Sequence, residues 1–100
     1  MSGIIGRLSG FVTLSVYIPD VLKTMPDEFD SHEFIAAFAY QNQLIYIQAL
    51  SNAGWKDQFQ KVNNAIVRWL GESGLVRQTG TTESENMFKQ VRSAAVWKKV

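Results

Sequence analysis

The sequence predicts a small α+β domain that is mainly helical and ends in a β-hairpin. The first observation is an apolar stripe at helical spacing, made by Val62, Ile66, Trp69 and Leu70. The second is Gly74, which stands where a helix stop in the left-handed region belongs. The third is a pair of expected strands, 75–80 and 94–100, separated by a polar loop at 81–93. A chain of 100 residues has the length of one domain.

Further helices are predicted before this stripe. The four expected helices begin near Asp20, Ser31, Leu44 and Gln58. Pro19 suits the first turn of the first helix. Proline has no backbone N–H, and the N–H groups of a first turn have no partner inside the helix. The clearest start is at Asp30, which is followed three positions later by Glu33 in a capping-box arrangement.

The N-terminal segment is predicted to be an arm that includes a β-strand. Apolar residues alternate with polar ones from Val12 to Ile18, which is the period of a strand. A helix is the competing interpretation, but the glycines at positions 3, 6 and 10 disfavour it. We therefore divide the chain into an arm or strand at 1–18 and a domain at 19–100. The strand could pair with the hairpin, or with its own copy in a homodimer.

Composition narrows the function classes. Hydrophobic residues make up 46% and charged residues 19% of the chain, and cysteine is absent. The absence of cysteine excludes disulfides, thiolate metal sites and cysteine nucleophiles. No run approaches the roughly 18–20 apolar residues of a membrane span, and no signal peptide is recognised. The expected location is therefore the cytoplasm, without membrane association.

The charges are distributed unevenly along the chain. Residues 1–54 carry two basic and five acidic residues, a net charge of −3. Residues 55–100 carry eight basic and four acidic residues, a net charge of +4. The half that contains the apolar stripe and the hairpin would therefore attract a polyanion.

No catalytic or metal-binding pattern is present. His32 is the only histidine, and as a neighbour of Glu33 on a helix it points in a different direction. It is therefore expected to be a surface residue beside a helix cap. The acidic residues at 27–30 lack the spacing of a calcium loop and are expected to form a solvated turn. The sequence predicts no enzymatic activity and no cofactor.

Residues 59–100, with a helix, a glycine stop and a hairpin in that order, resemble the C-terminal half of a winged helix-turn-helix domain. The resemblance implies that the helix at 58–73 is offered to double-stranded DNA and that the hairpin at 75–100 is the wing. The candidate DNA contacts are Lys61, Asn63, Asn64 and Arg68 on the helix and Arg77, Lys89 and Arg92 on the hairpin. Asparagine can pair with adenine and arginine with guanine in the major groove.

Two functions follow from these observations. The first is DNA binding by a small protein that regulates transcription. The second is protein interaction or assembly by a module with the same fold and no DNA binding. A homodimer through the N-terminal arm is compatible with both. Trp97 is expected to pack under the hairpin, whereas Met87 and Phe88 are expected either in the core or on a contact surface.

Overall fold

The computed structural model describes residues 11–100 of the chain. The described elements, in chain order, are α1 (Ile18–Lys23), β1 (Glu28–Asp30), α2 (Ser31–Gln41), α3 (Gln43–Asn52), α4 (Gln58–Glu72), β2 (Val76–Glu85) and β3 (Val91–Lys99). The predicted α+β class is confirmed, and each of the four predicted helices is present and begins within two residues of its expected start.

The start of α2 is held by the predicted capping box. The backbone N–H of Glu33 donates to Asp30 Oδ1 across 2.9 Å, and the backbone N–H of Asp30 donates to Glu33 Oε1 across 2.9 Å. These two bonds satisfy backbone donors that have no partner inside the helix. The carboxylate of the cap also lies at the positive end of the helix dipole.

The end of α4 follows the glycine signal. Gly74 has a φ of 77°, in the left-handed region that glycine adopts without a steric penalty. The hydroxyl of Ser73 accepts a hydrogen bond from the backbone N–H of Leu75 across 3.1 Å. The chain therefore turns directly from α4 into β2.

The predicted N-terminal strand from Val12 to Ile18 is wrong, because residues 11–15 are helical and Ile18 begins α1. Leu14 and Ile18 are fully buried, whereas Val16 is 70% exposed. Burial thus follows a spacing of four residues, as in a helix, and not the alternation of a strand. The glycines that argued against a helix all precede residue 11. Residues 1–10 of the predicted arm lie outside the described residues.

The sheet has an additional strand that the sequence did not indicate. Its strand order is β1-β3-β2, and both pairings are antiparallel. Phe29 of β1 lies opposite Trp97 of β3, and both are buried. The acidic segment expected to be a solvated turn therefore includes a short edge strand, which at three residues is too short to show a period of its own.

The hairpin is also longer than predicted. β2 continues to Glu85 and β3 begins at Val91, so most of the stretch expected to be a polar loop is strand. The turn is organised by Asn86, whose Oδ1 accepts from the backbone N–H groups of Phe88 and Gln90 across 2.9 and 3.0 Å. Most side chains of this hairpin are exposed, and exposed strands lack the apolar alternation by which a strand is recognised.

The core lies between the helices and the inner side of the sheet. The predicted stripe of α4 is confirmed, since Val62, Ile66 and Leu70 are fully buried and Trp69 packs against them. The aromatic side chains of α2 that complete the core are Phe34 and Phe38. Trp97 is 7% exposed, which confirms its expected position under the hairpin.

Among residues 11–100, no helix has both the length and the apolar character needed to cross a membrane.

Candidate nucleic-acid interface

The outward side of α4 carries a polar ridge formed by Lys61, Asn64 and Arg68. All three side chains are exposed. Their spacing places them on one side of the helix, opposite the buried stripe. The same periodicity that drives Val62, Ile66 and Leu70 into the core therefore directs these polar groups to the surface. We call these three residues the α4 ridge.

The charged groups of the α4 ridge are only loosely held. Lys61 Nζ donates to the carbonyl of Ala53 across 3.2 Å. Arg68 Nε lies 4.0 Å from Glu72 Oε2, and the two side chains are 77% and 62% exposed. An exposed ion pair of this kind contributes about 0.2–1 kcal/mol, so the guanidinium can exchange partners easily.

Asn63, also predicted to contact DNA, is used inside the fold. Its Oδ1 accepts a hydrogen bond from the hydroxyl of Tyr46 across 2.7 Å. Its Nδ2 donates to Met87 Sδ across 3.6 Å, and Tyr46 Oη lies 3.5 Å from the same sulfur. Asn63 therefore joins α3 and the hairpin turn to α4, while the neighbouring Asn64 faces solvent.

The Tyr46 side chain of this group is buried. Burial raises the pKa of Tyr46 above its ordinary value of 10.0, and the hydrogen bond to Asn63 acts in the opposite direction. The phenol therefore remains protonated at neutral pH and serves as a hydrogen-bond donor.

Aromatic contacts hold the hairpin turn beside the first half of α4. The rings of Phe88 and Phe59 meet edge to face, with centroids 5.0 Å apart, and Phe59 also lies 6.4 Å from the ring of Tyr46. Met87 and Phe88 nevertheless remain 37% and 49% exposed. The sequence left open whether Met87 and Phe88 lie in the core or on a contact surface. The structure combines the two, since both side chains contact the helices and still reach solvent.

A cavity of about 140 Å³ lies between the hairpin turn and the helices α2 and α4. The residues that line it are His32, Ile35, Asn63, Asn64, Asn86, Met87 and Phe88. The turn therefore borders the middle of the α4 ridge at Asn64.

The basic residues of the hairpin occupy two separate places. Lys89 lies in the turn, with Nζ 4.0 Å from Glu85 Oε1, and Arg92 follows near the start of β3. Arg77 lies near the start of β2, opposite Lys98 of β3. At about 3.3 Å per residue, Arg77 is roughly 25 Å along the strand from the turn. The structure thus places Lys89 and Arg92 toward the turn and Arg77 at the other end of the hairpin.

The hairpin is also tied to the start of α2 through His32. The Nδ1 atom of this half-buried histidine lies 2.6 Å from the hydroxyl of Ser84. The imidazole therefore contacts the hairpin, which goes beyond the surface position beside a cap that was expected from the sequence. Within residues 11–100, no cluster of His, Cys, Asp and Glu side chains is suited to hold a metal ion.

The role of Asn63 is the main feature that sequence reasoning missed. Asn63 and Asn64 are adjacent and chemically identical, and only their angular positions on α4 distinguish them. The buried stripe is a usable signal, because Asn63 is one residue after Val62 and three before Ile66 and so lies nearer to the buried side. Tyr46 and Met87 could not be identified as its partners without the tertiary structure.

Comparison of the chain with protein-family models, with curated proteins and with solved structures finds no match.

Proposed function

We propose that the protein is a small cytoplasmic DNA-binding protein that regulates transcription, with α4 entering the major groove and the β2–β3 hairpin acting as a wing. The single observation that carries this proposal is the exposed α4 ridge bordered by the hairpin turn. The order of helix and hairpin is the feature shared with winged helix-turn-helix domains. The net charge of +4 in residues 55–100 supports attraction to DNA.

The α4 ridge has the chemistry required for base recognition. The amide N–H of Asn64 can donate to adenine N7 while its amide oxygen accepts from the N6 amino group, and the guanidinium of Arg68 can donate two hydrogen bonds to guanine O6 and N7. Lys61 is a flexible point charge that suits a phosphate. Asn63 is left out of this set, because base contact would require it to give up its hydrogen bonds to Tyr46 and Met87.

The hairpin would contribute contacts to the DNA backbone. Lys89 and Arg92 toward the turn are the candidate phosphate ligands nearest to the ridge, and Arg77 would reach a phosphate only at a separate place along the duplex. Exposed threonine hydroxyls on β2 can also donate to phosphate oxygens. Glu83 and Glu85 would repel phosphate, so the wing is expected to approach DNA through Lys89 and Arg92.

Fluorescence anisotropy with labelled duplex DNA of random sequence tests this proposal. We expect binding in the micromolar range that weakens steeply between about 50 and 200 mM salt, because counterions are released from the phosphates. Arg68→Gln should weaken binding. The matched control is Lys23→Gln on α1, since Lys23 is likewise exposed (79%) and paired with a carboxylate on its own helix. Absence of binding at low salt, or equal loss in both variants, would contradict the proposal.

The second candidate function is an assembly module that does not bind DNA. In the sequence it is supported by the apolar, glycine-containing N-terminal arm and by an unpaired strand from Val12 to Ile18. The strand is not formed, because residues 11–15 are helical and Ile18 begins α1. The observation that now favours an interaction role is a different one, the exposed apolar surface of α3.

A further inference from the structure

Large apolar side chains are exposed along the outward side of α3 and the last turn of α2. Tyr40, Leu44 and Ile47 are 77%, 75% and 56% exposed. Leu44 and Ile47 are three residues apart on one helix, so their side chains are neighbours. Tyr40 and Leu44 line the same surface depression. We call these three residues the α3 face.

The α3 face lies within a segment without charge. Residues 34–55 include no lysine, arginine, aspartate or glutamate. Single exposed apolar residues are ordinary on protein surfaces, but a contiguous group of them marks an interaction site. Depletion of charged residues together with enrichment of aromatic ones is the composition of the core of a protein interface.

We propose that the α3 face is the contact surface of a homodimer, in which a second copy of the chain packs against it across a two-fold axis. In such a contact the same patch of both copies meets itself. A charge near the axis would face its own copy and repel it, whereas the uncharged α3 face has no such penalty. A strongly charged partner, in contrast, would find no complementary charge on this face.

The polar residues of α3 also suit contact with a second copy. Gln48 and Ser51 are exposed on this helix. An amide side chain both donates and accepts hydrogen bonds, and so does a hydroxyl. Such groups can therefore bond to their own copies, which two ammonium or two carboxylate groups cannot do.

Two copies of α3 can pack antiparallel, with Leu44 of one copy beside Ile47 of the other. Helix axes in such contacts are about 8–10 Å apart. A standard interface uses about 20–30 residues per partner, many more than the three of the α3 face, so we expect a weak dimer with a dissociation constant of about 1–100 µM. No residue of the α4 ridge belongs to this face, and the inference does not depend on DNA binding.

Sedimentation equilibrium of the full chain over about 1–300 µM tests the inference, because this range spans the expected dissociation constant. The mass of the wild-type chain should rise from 11.3 kDa toward twice that value. Leu44→Lys and, independently, Ile47→Lys should each weaken the dimer at least about tenfold by placing a like charge near the axis. Val100→Lys is the matched control, since Val100 is 76% exposed and lies beyond the end of β3.

Two further measurements separate this surface from other modes of association. Because the α3 face is uncharged, the dimer affinity should change less than about threefold between 50 and 500 mM salt. Deletion of residues 1–10 should leave the dimer intact. A chain that stays monomeric at all concentrations would overturn the inference. A dimer that survives both lysine substitutions, weakens steeply with salt, or depends on residues 1–10 would overturn it as well.

Discussion

The indole nitrogen of Trp97 donates a hydrogen bond to the hydroxyl of Ser31 across 2.9 Å, and both side chains are buried. This bond connects β3 to the first residue of α2, 66 positions away in the sequence. The indole ring also lies against Gly71 of α4, so one side chain contacts two helices from the inner side of the sheet. The position of the hairpin relative to α4 depends on this junction.

Loss of the Ser31 hydroxyl should weaken the junction. Ser31→Ala leaves the indole N–H buried without its partner, so we expect the free energy of unfolding to fall by about 1–3 kcal/mol. Urea denaturation followed by circular dichroism measures this change. Ser93→Ala, at an exposed position of β3, is the control and should have little effect. Equal stability of the Ser31 variant and the wild type would show that the bond contributes nothing.

A methyl group at Gly71 should be harmful in spite of its helical position. Its Cβ would lie 3.2 Å from Trp97 Cη2, so the indole would have to shift by a few tenths of an ångström, and its hydrogen bond to Ser31 opposes that shift. We expect overpacking of about 1–3 kcal/mol to outweigh the gain of about 1 kcal/mol that alanine brings to a helix. The same substitution in a Trp97→Phe background should be stabilising, because the clashing atom is absent. Stabilisation by Gly71→Ala in both backgrounds would contradict this account.

Substitution of the two adjacent asparagines of α4 should affect different properties, stability for Asn63 and DNA binding for Asn64. Asn63→Ala removes the hydrogen-bond partner of Tyr46 and should lower the free energy of unfolding by about 1–2 kcal/mol. Asn64→Ala, at an exposed position, should change stability by less than about 0.5 kcal/mol but weaken DNA binding. Denaturation and anisotropy measured on both variants check the difference. A stability loss confined to Asn64→Ala would reverse the assignment.

Tyr46 should make stability depend on pH in the alkaline range. Its pKa in the folded state is raised above 10.0, so the folded chain holds the phenol proton more tightly than the unfolded chain. This contribution is fully present below pH 10 and is lost as the pH rises through the folded-state pKa. Tyr46→Phe should be less stable at neutral pH, by about 1 kcal/mol for the lost hydrogen bond. Its stability should decline less than that of the wild type as the pH rises above 10. Parallel decline in both proteins would exclude Tyr46 as the cause.

The α4 ridge and the hairpin should affect DNA binding in different ways. Arg68→Gln should cost about 1–3 kcal/mol on a preferred sequence and relax the preference at one position. Lys89→Gln should weaken binding to all sequences alike and reduce the salt slope by about one unit. Competition with duplexes of varied sequence, repeated at several salt concentrations, distinguishes these results. A uniform loss for Arg68→Gln would place that residue on the DNA backbone instead.

Features with a local cause were predictable from the sequence. The capping box of Asp30 and Glu33, the buried stripe of α4 and the turn at Gly74 each depend on residues within a few positions of one another. Features without a local cause were not. The edge strand β1 depends on pairing with β3, in which Phe29 lies opposite Trp97. The length of the hairpin depends on pairing between two mostly exposed strands.

The segment from Val12 to Ile18 is a case in which the local pattern alone does not decide between two structures. Its apolar residues fit both a strand and a helix. Leu14 and Ile18 are four positions apart, which places them on the same face of a strand with a period of two residues and also on the same face of a helix with a period of about 3.6 residues. Contact with the core decides between them, and it buries Leu14 and Ile18 while Val16 remains exposed.

The sequence by itself determined the four helices α1 to α4, the apolar side of α4 and the uneven charge of the two halves, because periodicity, capping residues and composition encode them directly. Only the tertiary structure decided that Asn63 bonds to Tyr46 while Asn64 faces solvent, and that Tyr40, Leu44 and Ile47 remain uncovered. The physical reason is that a helix pattern specifies which side chains lie together on one face, whereas the partner of that face comes from distant parts of the chain.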